Sequence, residues 1–313
     1  MKHIFIINPA AGAVDAVEKM KKKIEKEASG YDYSIYETKA PLDATEYIRF
    51  YCSTHTEKVR FYACGGDGTL NEVVNGAAGF PNAEVGCIPS GSGNDFVKYY
   101  GAKEEFLDIV NNLEGTAETI DMLKLGDKYS INVINFGFDG VVASTISKVK
   151  RKPIIGGKNS YTSGIVYAIF KGMRNKCTVK VDGEQLNEKN MLLCTLSNGS
   201  HVGGSFNCGP KSSNMDGEVD VCLFKPLSLF TFLSLMDSYK KGTHFENPKV
   251  AKYMAFKRGK TVEVEAKKKE FPVSVDGEMV YTNKFTVEMV PKSINFVVPK
   301  SLVGKKNPVP AKV

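Results

Sequence analysis

Over the first hundred positions, apolar residues come in short unbroken runs. Each run ends in a polar, glycine-bearing break, and apolar positions at three-to-four residue spacing follow. Residues 4–7 form the first run and close on Asn8-Pro9-Ala10-Ala11-Gly12. Residues 15–27 then place Val17, Met20 and Ile24 among lysines, the pattern of a helix with one buried face. Residues 33–36 read as a strand, and Asp43 stands where it would cap a helix carrying Ala44, Tyr47, Ile48 and Tyr51 on its apolar side. Residues 59–64 and 84–89 are two more buried runs, each leading into a glycine-rich loop and a helical start. Strand, loop and helix in series predict a parallel sheet with helices on both faces. In such sheets ligands bind at the carboxyl ends of the strands, where these loops fall.

Near residue 120 the period changes. Segments 120–125, 130–136, 177–181, 192–197, 219–224, 261–266, 272–275 and 285–289 read as strands, with Asp-Gly and Asn-Gly turns among them, as an antiparallel sandwich requires. Helical inserts are expected over residues 161–172 and 227–241, the second read as a packed core helix and not a membrane-inserting one. Residues 294–298 are one more strand, and Asn307-Pro308-Val309-Pro310 a frayed tail. The expected architecture is two-domain. An α/β domain spans residues 1–125, with 291–313 returning to it, and an antiparallel β-sandwich domain spans 126–290.

Charge and composition narrow the function. With 42 Lys or Arg against 35 Asp or Glu, the net charge of +7 favours anionic partners such as phosphates or an acidic lipid surface, but is too mild to demand nucleic acid. No apolar run approaches the ~18 residues of a membrane span, and Met1-Lys2-His3 runs straight into a strand, unlike a secretory signal. Seven cysteines, odd in number and without a Cys-x-x-Cys pair, read as reduced and buried in a cytoplasmic protein. The four histidines show no metal-ligand spacing.

The densest chemistry lies in Cys64-Gly65-Gly66-Asp67-Gly68-Thr69-Leu70-Asn71-Glu72. Glycines after a buried strand let backbone amides approach a polyphosphate, and the helix N-terminus beyond them favours negative charge. Thr69 and Glu72 also fit a capping box, which would compete for the same amides. Asp67 beside phosphates asks for a divalent cation between them. There is no Gly-x-x-x-x-Gly-Lys-Ser/Thr loop, and Phe96 stands where a dinucleotide fingerprint needs its third glycine.

Continued through Val73-Val74-Asn75-Gly76, and followed by Pro89-Ser90-Gly91-Ser92-Gly93-Asn94-Asp95-Phe96, the run resembles the diacylglycerol kinase catalytic family. The soluble bacterial lipid kinases are the nearest type. NAD kinases and phosphofructokinases share only the Gly-Gly-Asp-Gly-Thr/Ser core. Further blocks in order are Asn135-Phe136-Gly137-Phe138-Asp139, Asn198-Gly199 with Gly203-Gly204, Asp216-Gly217-Glu218-Val219-Asp220, and Val275-Asp276-Gly277-Glu278. The resemblance implies an NAD-kinase/phosphofructokinase-like α/β domain with a β-sandwich, a transferase that binds ATP and magnesium, and a role in phospholipid biosynthesis. It assigns ATP contacts to Asn8, Pro9, Ala10, Ala11, Gly12, Thr38, Gly65, Gly66, Asp67, Gly68, Thr69, Leu70, Asn71, Glu72 and Ser92. It assigns a structural magnesium to Ser213, Asp216 and Glu218, the outer two through backbone carbonyls, with Asp67, Asn94 and Asp95 in a supporting water network.

Val-Asp-Gly-Glu occurs twice, at 181–184 and 275–278, and either copy suits a hairpin turn. Position in the motif order points to Asp276, over Asp182, as the general base for an acceptor hydroxyl. Lys98 is a candidate for neutralising phosphate charge. Lys148, Lys150, Arg151, Lys152 and Lys158 form a basic cluster suited to an acidic bilayer. The expected enzyme phosphorylates diacylglycerol at the membrane surface, with ATP, Mg²⁺ and lipid meeting between the domains. Rivals are kinases of phosphatidylglycerol, a sphingoid base, NAD or a small alcohol, and a catalytically silent lipid-binding homologue. An exposed strand edge would allow a homodimer.

Overall fold

The computed structural model describes residues 1–11, 14–101, 103–150, 172–268 and 270–305. Gly12, the cluster 151–158, most of the helical insert expected at 161–172 and the tail 307–310 lie outside them. The chain divides into two compact units: Met1–Met122 with Asn214–Asp216 and the segment from Val290, and Leu123–Ser213 with Gly217–Met289. The sequence pattern places its divisions at 125 and 290, and gives no sign of the three-residue excursion Asn214–Asp216.

In the first unit, β1 (Lys2–Ile7), β2 (Tyr33–Glu37), β3 (Val59–Gly65) and β4 (Ala83–Pro89) pair in parallel in the order β4-β3-β1-β2. Helices α1 (Val14–Glu27), α2 (Asp43–Thr54), α3 (Asp67–Ala77), α4 (Lys103–Leu107) and α5 (Ile109–Leu113) complete it. Every residue of β3 and β4 is buried. A sheet covered on both faces gives the unbroken apolar runs seen in the sequence. Phe5, Ile7, Tyr62 and Ile88 pack with Ile24, Ile109 and Leu113. Arg60 and Glu84 face each other in register on β3 and β4 and form a buried ion pair of 2.5 Å. Arg60 also donates to the Leu113 carbonyl at 2.9 Å, which ties α5 to the sheet. Asp43 does not cap α2: the capping position belongs to Leu42, at φ 70°. The Asp43 carboxylate instead accepts from Tyr36 Oη at 3.0 Å and Lys39 N at 2.7 Å, which pins the connection from β2. After Asp95 the chain makes a single 3-10 turn, Phe96–Tyr99, in place of the expected helix.

β5 (Thr116–Leu125) carries the chain into the second unit, where β6 (Lys128–Ser130) folds back on it. There follow β7 (Val133–Gly137), α6 (Phe138–Lys150), β8 (Asn175–Val181), β9 (Glu184–Gln185), β10 (Asn190–Met191), β11 (Leu193–Ser197), β12 (His201–Val202), β13 (Phe206–Asn207) and β14 (Val219–Phe224). Helices α7 (Leu229–Lys241) and α8 (Pro248–Ala251) precede β15 (Met254–Gly259), β16 (Thr261–Ala266), β17 (Pro272–Val275), β18 (Glu278–Tyr281) and β19 (Lys284–Val298). One antiparallel sheet runs β15-β14-β11-β7-β17-β18, and β10-β8-β16 with the start of β19 forms the other. Ile134, Phe136, Leu196, Val221, Val264 and Val287 belong to the core they share. β8 and β16 alternate buried and exposed residues, as one-sided strands do. β11 and β14 are buried throughout, because Phe138 of α6 and Phe232 and Leu235 of α7 pack on Leu193, Cys222 and Phe224.

β19 is one strand of 15 residues where the sequence suggests two. Its first part pairs β16 and its last part pairs β4. Between them Lys292 turns to φ 49°, its amide held by Asp121 Oδ1 at 2.7 Å. All seven cysteines are buried and free, as their spacing suggests. No helix among the described residues is long and apolar enough to cross a membrane.

Candidate active site

The parallel order β4-β3-β1-β2 sets the loops after all four strands along one carboxyl edge of the first unit. Strand order reverses between β1 and β3, the position at which open α/β sheets leave a crevice for ligand. Asn8 follows β1. Its Oδ1 accepts from Ala10 N at 2.9 Å, forming the turn through Pro9–Ala11, while its Nδ2 reaches Thr69 Oγ1 on α3 at 3.2 Å. Thr38 follows β2, and its amide donates to Ile7 O at 2.9 Å, beside the end of β1.

The loops after β3 and β4 lie against one another. Ser90 N and Gly91 N both donate to Gly65 O, at 2.8 and 3.3 Å. A Cβ on Gly91 would stand 2.5 Å from Gly66 Cα, and one on Gly93 would stand 2.7 Å from Asp67 Oδ2. Asp67 Oδ1 accepts from Asp95 N at 2.6 Å, so this carboxylate fastens the second loop to the start of α3. Asn94, at φ 50°, closes the second loop on itself: its Oδ1 accepts from Gly91 N at 3.2 Å and its Nδ2 donates to Gly91 O at 2.5 Å. Ser92 is exposed at the tip.

The capping box does not form. Gly66 is the N-cap of α3 and supplies no side-chain hydrogen bond, and Thr69 lies inside the first turn with Asn8 as its partner. A helix N-terminus capped by glycine suits an anionic ligand, because its amides point outward along the axis with the positive end of the dipole. The expected contacts divide accordingly. Gly65, Gly66, Asp67, Gly68 and Thr69 stand at the edge. Leu70 is buried, with its amide given to Gly66 O, while Asn71 and Glu72 lie further along α3, where their carbonyls accept from Asn75 Nδ2 and Thr45 Oγ1. Lys98 is 2.6 Å from the Asp95 carboxylate and serves as that residue's counter-ion.

The excursion Asn214–Asp216 is anchored in the same unit, an arrangement that sequence reasoning missed. Asn214 N donates to Tyr99 Oη at 3.3 Å, its Nδ2 to Tyr100 Oη at 2.9 Å, and its carbonyl accepts from Asp121 N at 2.7 Å. Asn214, two residues before Asp216, is thereby tied to the segment that directly continues the Asp95 loop. Among the described residues no cluster of three or more His, Cys, Asp or Glu is placed to hold a metal. The Glu218 side chain lies 3.5 Å from Arg258 Nη1.

Asp276 belongs to the second unit. With φ 49° at Asp276 and 92° at Gly277, it forms the two-residue turn between β17 and β18. Its carboxylate accepts from Ser130 Oγ (2.6 Å) and from the amides of Ile131, Asn132 and Val133 (2.9, 3.1 and 3.0 Å). Four donors on one carboxylate suit the anion and fix its position. They also explain why residues 130–136 form two strands: the amides of Ile131 and Asn132 turn to the carboxylate instead of a neighbouring strand. Asp182 repeats the device at φ 50°, accepting from Lys260 N and Thr261 N. The two turns are equivalent in backbone, so turn geometry does not single out the base.

A second titratable group emerges from the fold. Asp139, in the first turn of α6, meets Tyr239 Oη of α7 at 3.5 Å, and that hydroxyl is 3.1 Å from Thr195 Oγ1 on β11. Burial lifts the Asp139 carboxyl from 3.8 to about 7, against a lowering contribution from the Tyr239 hydrogen bond.

Two predictions follow from these geometries. Gly91→Ala is expected to weaken the ATP binding that the family resemblance implies at least about tenfold, or ~1.4 kcal/mol, by calorimetric titration, with Gly30→Ala, whose Cβ meets nothing within 4 Å, unchanged. Undiminished affinity in Gly91→Ala contradicts the paired-loop site. Between the unfolded and folded values of Asp139, the folded chain keeps a proton that the unfolded chain has lost, so this group's contribution to stability falls as pH rises toward about 7. Urea midpoints at pH 5 and pH 8 should therefore differ less in Asp139→Asn than in the parent; an identical difference contradicts the burial assigned to this carboxyl.

The family model of the diacylglycerol kinase catalytic domain matches residues 2–125, and that of the YegS C-terminal NAD kinase beta sandwich-like domain matches residues 132–298. The chain is 28% identical over 279 residues to a diacylglycerol kinase of Bacillus subtilis (strain 168), covering 87% of this chain and 88% of that one. It is 27% identical over 266 residues to "Probable lipid kinase YegS-like" of Shewanella frigidimarina, covering 82% of each. A crystal structure of a diacylglycerol kinase from Bacillus anthracis str. Sterne matches with TM-score 0.71 and 20% identity over 96% of this chain and 98% of that one, a likeness that shows the shared fold. With both halves matched in order, the chain belongs to the diacylglycerol kinase catalytic-domain family, in its YegS-like form.

Proposed function

We propose that this chain is an ATP-dependent lipid kinase that transfers the γ-phosphoryl group to a lipid hydroxyl, with diacylglycerol as acceptor and phosphatidic acid as product. The observation that carries the reading is the pairing of two glycine loops over a glycine-capped helix N-terminus, on the β1/β3 edge of a parallel sheet. Family membership and relatives named as lipid and diacylglycerol kinases support the acceptor class.

In this reading the backbone of Gly65–Thr69 and of the 90–95 loop cradles the triphosphate, and Asn8 holds the cradle closed through Thr69. The acceptor oxygen forms its bond to the γ-phosphorus as the bond to the β-phosphate oxygen breaks. The hydroxyl proton passes to Asp276, and ADP leaves. Phosphoryl transfer through a loose transition state asks little proton affinity of its base and much accuracy of position. A carboxylate fixed by four donors is suited to that demand. Asp216, with the carbonyls of Ser213 and Glu218 that the family resemblance adds, would make an oxygen-only donor set of the kind a hydrated hard cation takes. Magnesium bound there would supply charge neutralisation to a network that includes Asp67, Asn94 and Asp95. A soluble route to a bilayer acceptor requires contact with the membrane surface, so peripheral association belongs to the same proposal.

The test is transfer of label from γ-labelled ATP to diacylglycerol, phosphatidylglycerol, a sphingoid base and NAD in parallel. Labelled phosphatidic acid is expected; label on NAD alone, or on none, overturns the reading. Asn tolerates the positive φ of both Asp-Gly turns. Asp276→Asn is therefore expected to lower kcat by about 10²-fold or more while leaving ATP affinity intact, whereas Asp182→Asn keeps parental kcat. The reverse pattern would move the base to Asp182.

A further inference from the structure

Helix α7 is better supplied with apolar residues than its buried face needs. Ser228 caps it, with Oγ accepting from Thr231 N at 3.2 Å, and Gly242 ends it at φ 74°. Phe232 and Leu235 pack on the sheet, joined by Met236 and Tyr239. Leu229, Phe230 and Leu233 do not: they are 40%, 86% and 51% exposed, and Phe230 has the largest exposure of any large hydrophobic side chain among the described residues. The outward stripe is apolar at Phe230 and Leu233, then polar at Ser234 and Asp237, and ends in Lys240 and Lys241. The expectation of a wholly packed helix thus holds for one face only.

Two lysines stand near the apolar end, in a segment with an excess of basic residues. Between residues 225 and 260 there are eight Lys or Arg against two Asp or Glu. Lys225 lies three residues before the cap, and its amide donates to Tyr253 O at 2.7 Å. Lys252 stands 4.9 Å over the Tyr253 ring, so both lysines are held beside the start of α7. Lys225, Lys249 and Lys252 are exposed and form no ion pair among the described residues. An exposed aromatic and leucine turn, flanked by unpaired lysines, matches an anionic bilayer: the apolar side chains enter the headgroup boundary while the ammonium groups meet the lipid phosphates.

We infer that the first two turns of α7, with Lys225 and Lys252, dock this chain on anionic membrane. The choice of a bilayer over a protein partner rests on the charge around the helix and on the lipid acceptor proposed above.

The test is co-sedimentation of the full chain with phosphatidylcholine vesicles containing or lacking phosphatidylglycerol. The parent should bind the anionic vesicles. Phe230→Ser should weaken binding about tenfold, and Lys225→Ala or Lys252→Ala about fivefold each. Phe50→Ser, at a 70% exposed site on α2, should bind as the parent does. All variants should phosphorylate a detergent-dispersed acceptor at the parental rate. Parent protein that ignores anionic vesicles, or binding indifferent to Phe230→Ser, overturns the inference. So does a parent oligomer that Phe230→Ser dissociates without changing vesicle binding, since the face is then an interface between copies. Phe230-dependent vesicle binding without transfer to any acceptor upholds the docking surface and counts against the kinase reading alone.

Discussion

The candidate site depends on how closely two backbones approach. Gly66 and Gly91 pass so near that a single methyl group on Gly91 would stand 2.5 Å from the facing Cα, and no side chain could move aside to make room. That contact lets the loops after β3 and β4 form one continuous rim, and parallel pairing of β3 with β4 from Val59–Ala83 to Gly65–Pro89 delivers both loops to the same height. The surrounding polar groups maintain the approach: Asp67 takes the Asp95 amide, Asn94 grips Gly91 from both sides, and Lys98 balances Asp95. An acidic residue at the head of a helix whose N-terminus is proposed to receive phosphate is unfavourable to that ligand on charge alone. Its hydrogen bond to the second loop accounts for its presence on structural grounds, before any cation is considered.

The second unit uses the Asp-Gly turn in the same spirit. At Asp182 and Asp276 the left-handed turn residue directs its carboxylate at backbone amides, so one side chain both completes a hairpin and organises a neighbouring segment. At Asp276 this interrupts what would otherwise be one strand from Ser130 to Gly137 and holds the carboxylate rigid. Rigidity of this kind is what a positioning-dominated reaction requires.

Much of this was legible in the sequence where burial leaves a simple pattern. The unbroken runs of β3 and β4 and the alternation of β8 and β16 correspond to sheets covered on two faces and on one. Legibility failed where a long-range partner decides the outcome. β15 carries Lys257 and Arg258, whose charges hide a strand in the sequence pattern and are met by Glu184 and Asp220. The sequence pattern shows β19 as two runs, 285–289 and 294–298, while Asp121 holds the Lys292 amide between them and the strand continues. The glycine motif was recognisable, but the helix begins at Asp67, so Thr69 is no cap. The anchoring of Asn214 by Tyr99 and Tyr100 carries no local signal at all. Asp139 stood in a recognised block, but its raised titration arises from packing between α6 and α7, which no spacing encodes.

The central claim is that the paired glycine loops are where nucleotide phosphates bind. Amide hydrogen exchange of the full chain, with and without ATP and magnesium, tests it most directly. The account predicts new protection concentrated in residues 65–70 and 90–95, with a smaller effect at 8–11. Protection elsewhere in the chain with these segments unchanged would contradict it.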